Sequence, residues 1–270
     1  MAKNQNSNTS LNRVIAEINK KYGENIIGRI PDMVTLNVER IPSGVQKLDD
    51  AVGGGFPMRR IVELYGIPAS GKSLIALLVI AQAQKKGMEC IYIDVEDAFD
   101  PKFATTMGVD TSKLVIAQSS IGEDTIDLVC KLLTAKPAII VVDSVAAMIT
   151  QGEMDEDMEQ QFMAPKARLM SRGLAKMNAL NQNTLIIFIN QLRSTMTMYG
   201  PPTTTTGGRA LGHYASIRLQ VKQVEKIYED DKKTKAVIGQ IIGFNVTKNK
   251  TAPPYKTGSF KFFYEGGKIV

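Results

Sequence analysis

Arg60-Ile-Val-Glu-Leu-Tyr65-Gly66-Ile67-Pro68-Ala69-Ser70-Gly71-Lys72-Ser73-Leu74 reads as strand, loop and helix in succession. Residues 60–65 form a short apolar run with the composition of a buried strand. Residues 73–86 have helical character and stop at Gly87. Between them, residues 66–73 fit the spacing G-x-x-x-x-G-K-[ST]. Glycine at both ends lets the backbone curl until its N–H groups face phosphate oxygens. Lys72 adds a point charge, and the Ser73 hydroxyl sits at a helix N-terminus, placed to ligate Mg²⁺. A bare glycine-rich turn would need neither the strand before it nor the helix after it.

Outward from this loop the chain alternates. Cys-Ile-Tyr-Ile-Asp-Val (90–95), Ala-Ile-Ile-Val-Val-Asp (138–143) and Thr-Leu-Ile-Ile-Phe-Ile-Asn (184–190) read as buried strands, and 124–134 and 166–180 as helices. Short apolar runs separated by amphipathic helices predict an α/β fold with a mainly parallel sheet flanked by helices. After residue 213, three runs with turns between them predict antiparallel C-terminal strands. In such a sheet, ligands meet the carboxyl ends of the strands. Asp143 ends one strand there, and beside a phosphate loop its carboxylate supports Mg²⁺ through water. Glu96 follows another and is placed to deprotonate an attacking water, with Asp94 and Asp97 as competitors that strand alternation does not separate. Gln191 closes a third, where it can sense a phosphate or simply make a strand-end hydrogen bond.

The remaining composition narrows the class. The chain has 270 residues, 44% hydrophobic and 22% charged, enough for a sizeable core and too apolar for bulk disorder. With one His and two Cys, a His-rich zinc site is excluded. Cys90 and Cys130, in apolar surroundings, are expected as free thiols in a reducing cytoplasm. No window is long and apolar enough to span a membrane, and no signal peptide opens the chain, so a cytoplasmic location without a membrane partner is expected. A net charge of +6 fits an anionic partner without demanding one. Residues 1–9 are Asn/Ser-rich and predict a disordered tail. From Ser10, a plausible N-cap, Leu11, Val14, Ile15, Ile18 and Tyr22 mark an amphipathic helix, which must pack on its own domain or on a neighbouring subunit. Residues 24–40 read as a linker with a short extended piece at 33–38, and the core follows from 41. Two segments are too long for ordinary connections: 151–165, rich in Met and acid (Glu153, Asp155, Glu156, Asp157, Glu159), and 194–208, Ser-Thr-Met-Thr-Met-Tyr-Gly-Pro-Pro-Thr-Thr-Thr-Thr-Gly-Gly.

Read in order, GIPASGKS, YIDVEDAFDP, IIVVDSVAA, LIIFINQLR, TTTTGGRALGHYASIRL and VTKNKTAPPYK resemble the successive signatures of the RecA family of recombinases, bacterial and phage-encoded. The similarity runs from about Ser10 to the C-terminus. It implies a RecA-type P-loop ATPase core that uses ATP and Mg²⁺, with Gly66–Ser73 and the adjoining Leu74 at the phosphates and Ser73 and Asp143 at the metal. It assigns the catalytic base to Glu96, deciding among its neighbours. It places Asp100 and Phe103 at the adenine, Gln191 as the coupler of ATP to DNA, and Lys248 and Lys250 at the γ-phosphate of a neighbouring subunit. It makes 151–165 and 194–208 the DNA loops, contacted through Met163, Arg168, Arg172, Arg193, Met198, Tyr199, Gly207, Gly208 and Arg209. The N-terminal helix and linker (10–40) would serve filament assembly.

Three departures accompany the resemblance. The first loop carries five acids, His213 stands where the family usually has Phe, and the family's separate C-terminal domain is expected to be absent after about residue 265. The expected function is a DNA-dependent ATPase forming helical filaments on single-stranded DNA and exchanging strands with homologous double-stranded DNA. Rival readings are a RecA-fold scaffold without strand exchange and a ring-forming, helicase-like motor.

Overall fold

Helix α1 (Lys3–Tyr22) opens the chain, in a computed structural model that describes residues 3–23, 26–29, 38–155, 163–194, 203–229 and 236–270. The described residues divide into two units, Met1–Glu39 and Arg40–Val270. In the first, α1 starts well before Ser10, so the backbone from Lys3 is helical and Ser10 is not its cap. Once the apolar-periodic part has nucleated, each upstream residue adds one hydrogen bond, which outweighs the weak propensity of Asn and Ser. The helix ends at Gly23, whose N–H reaches the Asn19 carbonyl at 3.0 Å with φ 116°. The Asn19 amide clamps the backbone of Ile27 through bonds of 2.8 and 3.0 Å. Most of the extended piece expected at 33–38 lies outside the described residues.

The second unit begins with β1 (Arg40–Ile41), α2 (Gln46–Val52) and β2 (Phe56–Pro57), the two strands forming a small ribbon. It continues through β3 (Ile61–Gly66), α3 (Lys72–Lys85), β4 (Cys90–Asp94), α4 (Pro101–Thr106), β5 (Val115–Gln118), α5 (Gly122–Leu132) and β6 (Ile139–Asp143). Then come α6 (Gln151–Asp155), α7 (Met163–Leu180), β7 (Leu185–Ser194), β8 (Thr203–Thr205), α8 (Ala210–Tyr214), β9 (Ile217–Tyr228), β10 (Val237–Asn249) and β11 (Thr257–Phe263). The large sheet has the order β11-β10-β9-β3-β7-β6-β4-β5, with β8 paired to β7. Strands β3, β4, β5, β6 and β7 are mutually parallel. Strand β9 runs parallel to β3 on one side and antiparallel to β10 on the other, and β11 is antiparallel to β10, so β9, β10 and β11 supply the antiparallel extension. The segment before β9 crosses back over the sheet as α8, which returns the chain to the edge where β3 starts.

Alternation along the strands makes two cores. Val62, Leu64, Ile139, Val141 and Ile187 face one way, against α2 and α3. Ile61, Ile140, Val142, Ile186 and Phe188 face the other, against α5, α7 and α8. Helix α3 is buried on nearly every side from Leu74 to Ala81, which explains its almost unbroken apolar run. Phe188 is fully buried, and its loss to Ala is expected to cost about 3–5 kcal/mol. Cys90 and Cys130 are both buried and free.

A buried charge on β3 interrupts this apolar interior. Glu63, in the middle of β3, is fully buried. It accepts from Arg218 Nε at 2.5 Å and from the Asn190 side chain at 3.0 Å. The Arg218 guanidinium in turn lies over the Tyr65 ring at 4.8 Å. Removing one partner of such a pair strands the other without water, a loss of about 3–5 kcal/mol.

Candidate nucleotide and DNA sites

The register aligns the strand tips. Gly66 is opposite Gln191 across β3 and β7, and Asp94 is opposite Asp143 across β4 and β6. Strand order therefore sets the phosphate loop, Gln191, Asp143 and the segment after Asp94 along one edge of the sheet.

The loop itself is fixed by close approach. A Cβ on Gly66 would fall 2.0 Å from the Val221 carbonyl oxygen. Ala69 and Gly71 both have positive φ, 57° and 98°, and curl the chain toward the start of α3. No side chain caps that helix N-terminus, so its first N–H groups are presented to the loop's concavity, which suits an anion. Lys72 is buried, and its ammonium donates to the Ile67 carbonyl at 2.7 Å and to Ser70 Oγ at 3.5 Å. Burial lowers its pKa, and the charges of Asp143 and Glu96 oppose that shift. These features fit a polyphosphate: a ring of N–H donors around one poorly solvated cation.

The metal side fits as well. Ser73 Oγ and the Tyr92 hydroxyl donate to the same Asp143 oxygen, at 2.7 and 2.5 Å. Burial raises the Asp143 pKa, while the two hydroxyl bonds pull it down. A hydroxyl beside a carboxylate, both hard oxygen donors, suits Mg²⁺. Among the described residues no group of three or more His, Cys, Asp or Glu side chains is placed to hold a metal.

Geometry separates the three acids near β4. Asp94 accepts from the N–H groups of Ala98 and Phe99 at 2.9 and 2.8 Å, so it builds the turn. Asp97 accepts from the Gln118 amide at 2.5 Å. Glu96 is exposed and accepts from Ser144 Oγ and from Gln191 Nε2, the latter at 3.3 Å. Asp100 N-caps α4 through Lys102 and Phe103, at 2.8 and 3.2 Å. Phe103 meets Phe262 edge to face at 6.2 Å. It lines a cavity of about 540 Å³ together with residues 69–74. Gln223, Lys226, Gln240 and Tyr264 complete that cavity and were not singled out from sequence. They come from β9, β10 and the end of β11, and no linear spacing ties them to the loop.

Lys248 and Lys250 stand elsewhere. Lys248 pairs with Arg218 in register, near the start of β9, which itself begins opposite Val62. Lys248 is thus level with Glu63 and Asn249 with Val62, about 10–13 Å of strand from Gly66 at ~3.3 Å per residue, so these lysines lie toward the edge opposite the phosphate loop. Lys248 Nζ donates to the carbonyls of Gly212 and His213 at 2.6 and 3.0 Å, and Lys250 Nζ to His213 at 3.4 Å. Burial first, then the charges of Lys250 and Arg218, lower the Lys248 pKa.

The two long segments are more ordered at their ends than loops. Gln151–Asp155 is helical, its start held by Glu153, which accepts from the Thr150 N–H at 2.6 Å. Thr203–Thr205 pairs with Leu192–Ser194, making the base of a hairpin. Arg168 and Arg172 are exposed on α7, Arg193 on β7 and Arg209 just before α8. Gly207 and Gly208 both have positive φ, and a Cβ on either would meet Val145 or Ala167 at 2.9 Å. Met163 opens α7. Met198, Tyr199, and the acids Glu156, Asp157 and Glu159 lie outside the described residues.

A phosphate loop on a parallel sheet, a hydroxyl–carboxylate metal corner and a candidate base define a P-loop nucleotide hydrolase. Comparison with known proteins names the branch. The RecA N-terminal domain profile matches residues 9–269. Protein RecA of Fusobacterium nucleatum is 43% identical over 258 residues, covering 94% of this chain and 67% of that protein. Protein RecA of Colwellia psychrerythraea is 40% identical over 264 residues, 96% of this chain and 75% of that one. The crystal structure of the RadB recombinase shares the fold, with a TM-score of 0.63 at 22% identity over 85% of this chain and 98% of that one. The chain belongs to the RecA family of recombinase ATPases. Among the described residues no helix is long and apolar enough to cross a membrane.

Proposed function

We propose that this chain is an ATP- and Mg²⁺-using recombinase that assembles head to tail on single-stranded DNA, pairs it with homologous double-stranded DNA and exchanges strands, in the cytoplasm. The observation that carries the reading is the hydrogen bond from Gln191 to Glu96. It joins the candidate base directly to the strand that becomes the β7–β8 hairpin, a proposed DNA element.

Each residue's part follows from its present partner. Lys72 leaves the Ile67 carbonyl for a phosphate oxygen. Ser73 and Asp143 would hold Mg²⁺, which when bound would neutralise charge on the phosphate oxygens. Glu96 takes the proton of the attacking water. Gln191 turns from Glu96 toward the terminal phosphate, and the end of β7 moves with it. Arg193, Arg209 and the N–H groups of Gly207 and Gly208 then meet DNA phosphates, with Arg168 and Arg172 of α7 beside them. Met163, Met198 and Tyr199 are assigned to contacts with bases. Lys248 and Lys250 leave the α8 carbonyls for the terminal phosphate on the neighbouring subunit. Helix α1, whose Leu11, Val14 and Tyr22 are exposed, and the linker after it are assigned to subunit assembly, and 40–270 to the ATPase core.

Negative-stain imaging of the protein with single-stranded DNA and ATP tests this. Helical filaments are expected; closed rings would favour a helicase-like motor, and the appearance of neither form would favour the scaffold reading.

A further inference from the structure

The edge of the sheet where the strands begin carries a cavity of about 280 Å³, apart from the phosphate loop. Arg59, Arg60 and Lys250 supply three cations to its lining, and Asn178, Tyr214 and Ser216 supply neutral hydrogen-bonding groups. No carboxylate lines it among the described residues. Neither guanidinium makes an ion pair with a described residue, whereas Arg218 nearby is tied to Glu63. Three like charges around one small space repel one another, and the repulsion is relieved when an anion enters.

Arg59 adds a second, independent observation. Its φ is 59°, in the left-handed region that favours glycine. Of the four other non-glycine residues with positive φ, Ala69 and Asp97 sit in the phosphate loop and beside Glu96, and Lys136 and Tyr255 lie elsewhere. Strain at Arg59 keeps an arginine where a glycine would be at ease, so the side chain is what the position retains.

We infer that this cavity is a binding site for inorganic phosphate. Two guanidinium forks, an ammonium and hydroxyl donors match the several oxygens of a tetrahedral dianion better than a halide or a planar carboxylate. The phosphate has two possible sources. One is solution. The other is the neighbouring subunit's hydrolysis, because Lys250 is shared with the contact proposed above; only this second source rests on that reading. The competing role, in which the arginines merely offset the negative C-terminal end of α7, predicts no saturable anion binding.

The test titrates inorganic phosphate into the full chain with ADP in the phosphate loop, followed by amide NMR. Saturable shifts are expected at 59–61, 214–216 and 250–251. Losing the charged donor in Arg59→Gly is expected to weaken phosphate affinity about 10-fold or more. Glycine takes the positive φ freely, so the variant keeps the fold, which a melting curve checks; Arg60→Gln gives a second variant with an unchanged backbone. Drift that never saturates, or equal affinity in both variants and the parent, overturns the proposal. The titration needs neither DNA nor filaments, so its result stands whether or not the strand-exchange reading does. Phosphate release after one turnover on DNA then separates the sources. Faster release from Arg59→Gly supports the neighbour's product as ligand; unchanged release together with Arg59-dependent binding supports phosphate from solution.

Discussion

Asp143 is held where folding and chemistry oppose each other. Burial raises its pKa above the ordinary Asp value, so the folded protein binds this proton more tightly than the unfolded chain. The penalty of keeping it charged is fully present above the folded pKa and fades as pH falls through it. Asn in its place can still accept from Ser73 and Tyr92. Asp143→Asn is therefore expected to raise the melting temperature of the nucleotide-free protein at pH 7, by a margin that narrows as pH falls, while Mg²⁺-dependent hydrolysis is lost. Melting curves at several pH values check this; a lower melting temperature at pH 7 would overturn it. Lys72 makes its hydrogen bonds only within its own loop, so Lys72→Ala should abolish turnover and keep the far-ultraviolet dichroism of the parent. Glu96→Ala should bind nucleotide normally and hydrolyse it about 10²-fold more slowly or worse, and loss of nucleotide binding would make Glu96 structural. Strand alternation leaves Glu96 level with Asp94 and Asp97, and the family resemblance is what chooses Glu96. Their partners differ: Asp94 is tied into a turn and Asp97 to Gln118, whereas Glu96 meets Ser144 and Gln191. Bonds of that kind depend on side-chain direction, to which strand alternation is blind.

At the scale of elements, legibility followed burial. The runs at 60–65, 90–95 and 138–143 lie where β3, β4 and β6 do, because each is a mostly apolar run buried on both faces. Strand β5 passed unnoticed, since as an edge strand it leaves Val115 and Ile116 exposed and lacks that pattern. Strand β7 was cut short at 190. Its continuation through Leu192 to Ser194 is polar and is held by pairing with Thr203–Thr205, a contact that sequence spacing does not announce. That pairing gives the hairpin a stiff base and puts Arg193 on it, with Arg209 following after the glycine pair. If both arginines meet DNA phosphates, replacing either by Ala should lower the slope of log affinity against log salt by about one unit. Fluorescence anisotropy with labelled single-stranded DNA from low to moderate salt reads the slope. A slope equal to the parent's would remove that arginine from the DNA site.

Across the whole molecule, the sheet has two working edges. The phosphate loop, Asp143, Glu96 and Gln191 lie at the ends of β3, β6, β4 and β7, whereas Lys248 and Lys250 lie beside the start of β9. With about 10–13 Å of strand between them and Gly66, the lysines as they stand are well away from their own phosphate loop. In the proposed head-to-tail assembly a second copy would bring one edge against the other, and such a contact repeats without closing into a pair. Until then the ammoniums rest on the carbonyls of Gly212 and His213 in α8, the helix that follows the proposed DNA hairpin. Lys248→Ala/Lys250→Ala should thus leave ATP binding by the isolated protomer near normal while removing DNA-stimulated hydrolysis and filaments together. Mixing that variant with Lys72→Ala protein is the sharper measurement. Each parent lacks half of every site, but where a lysine-pair variant presents its intact phosphate loop to the intact lysines of a Lys72→Ala neighbour, one complete site forms. DNA-dependent ATPase activity should therefore return on mixing, reaching at most about a quarter of the normal level if neighbours assort at random in equal mixtures. If both proteins enter the same filament and no activity returns, the lysines act within their own subunit and the division of labour between the two edges is wrong.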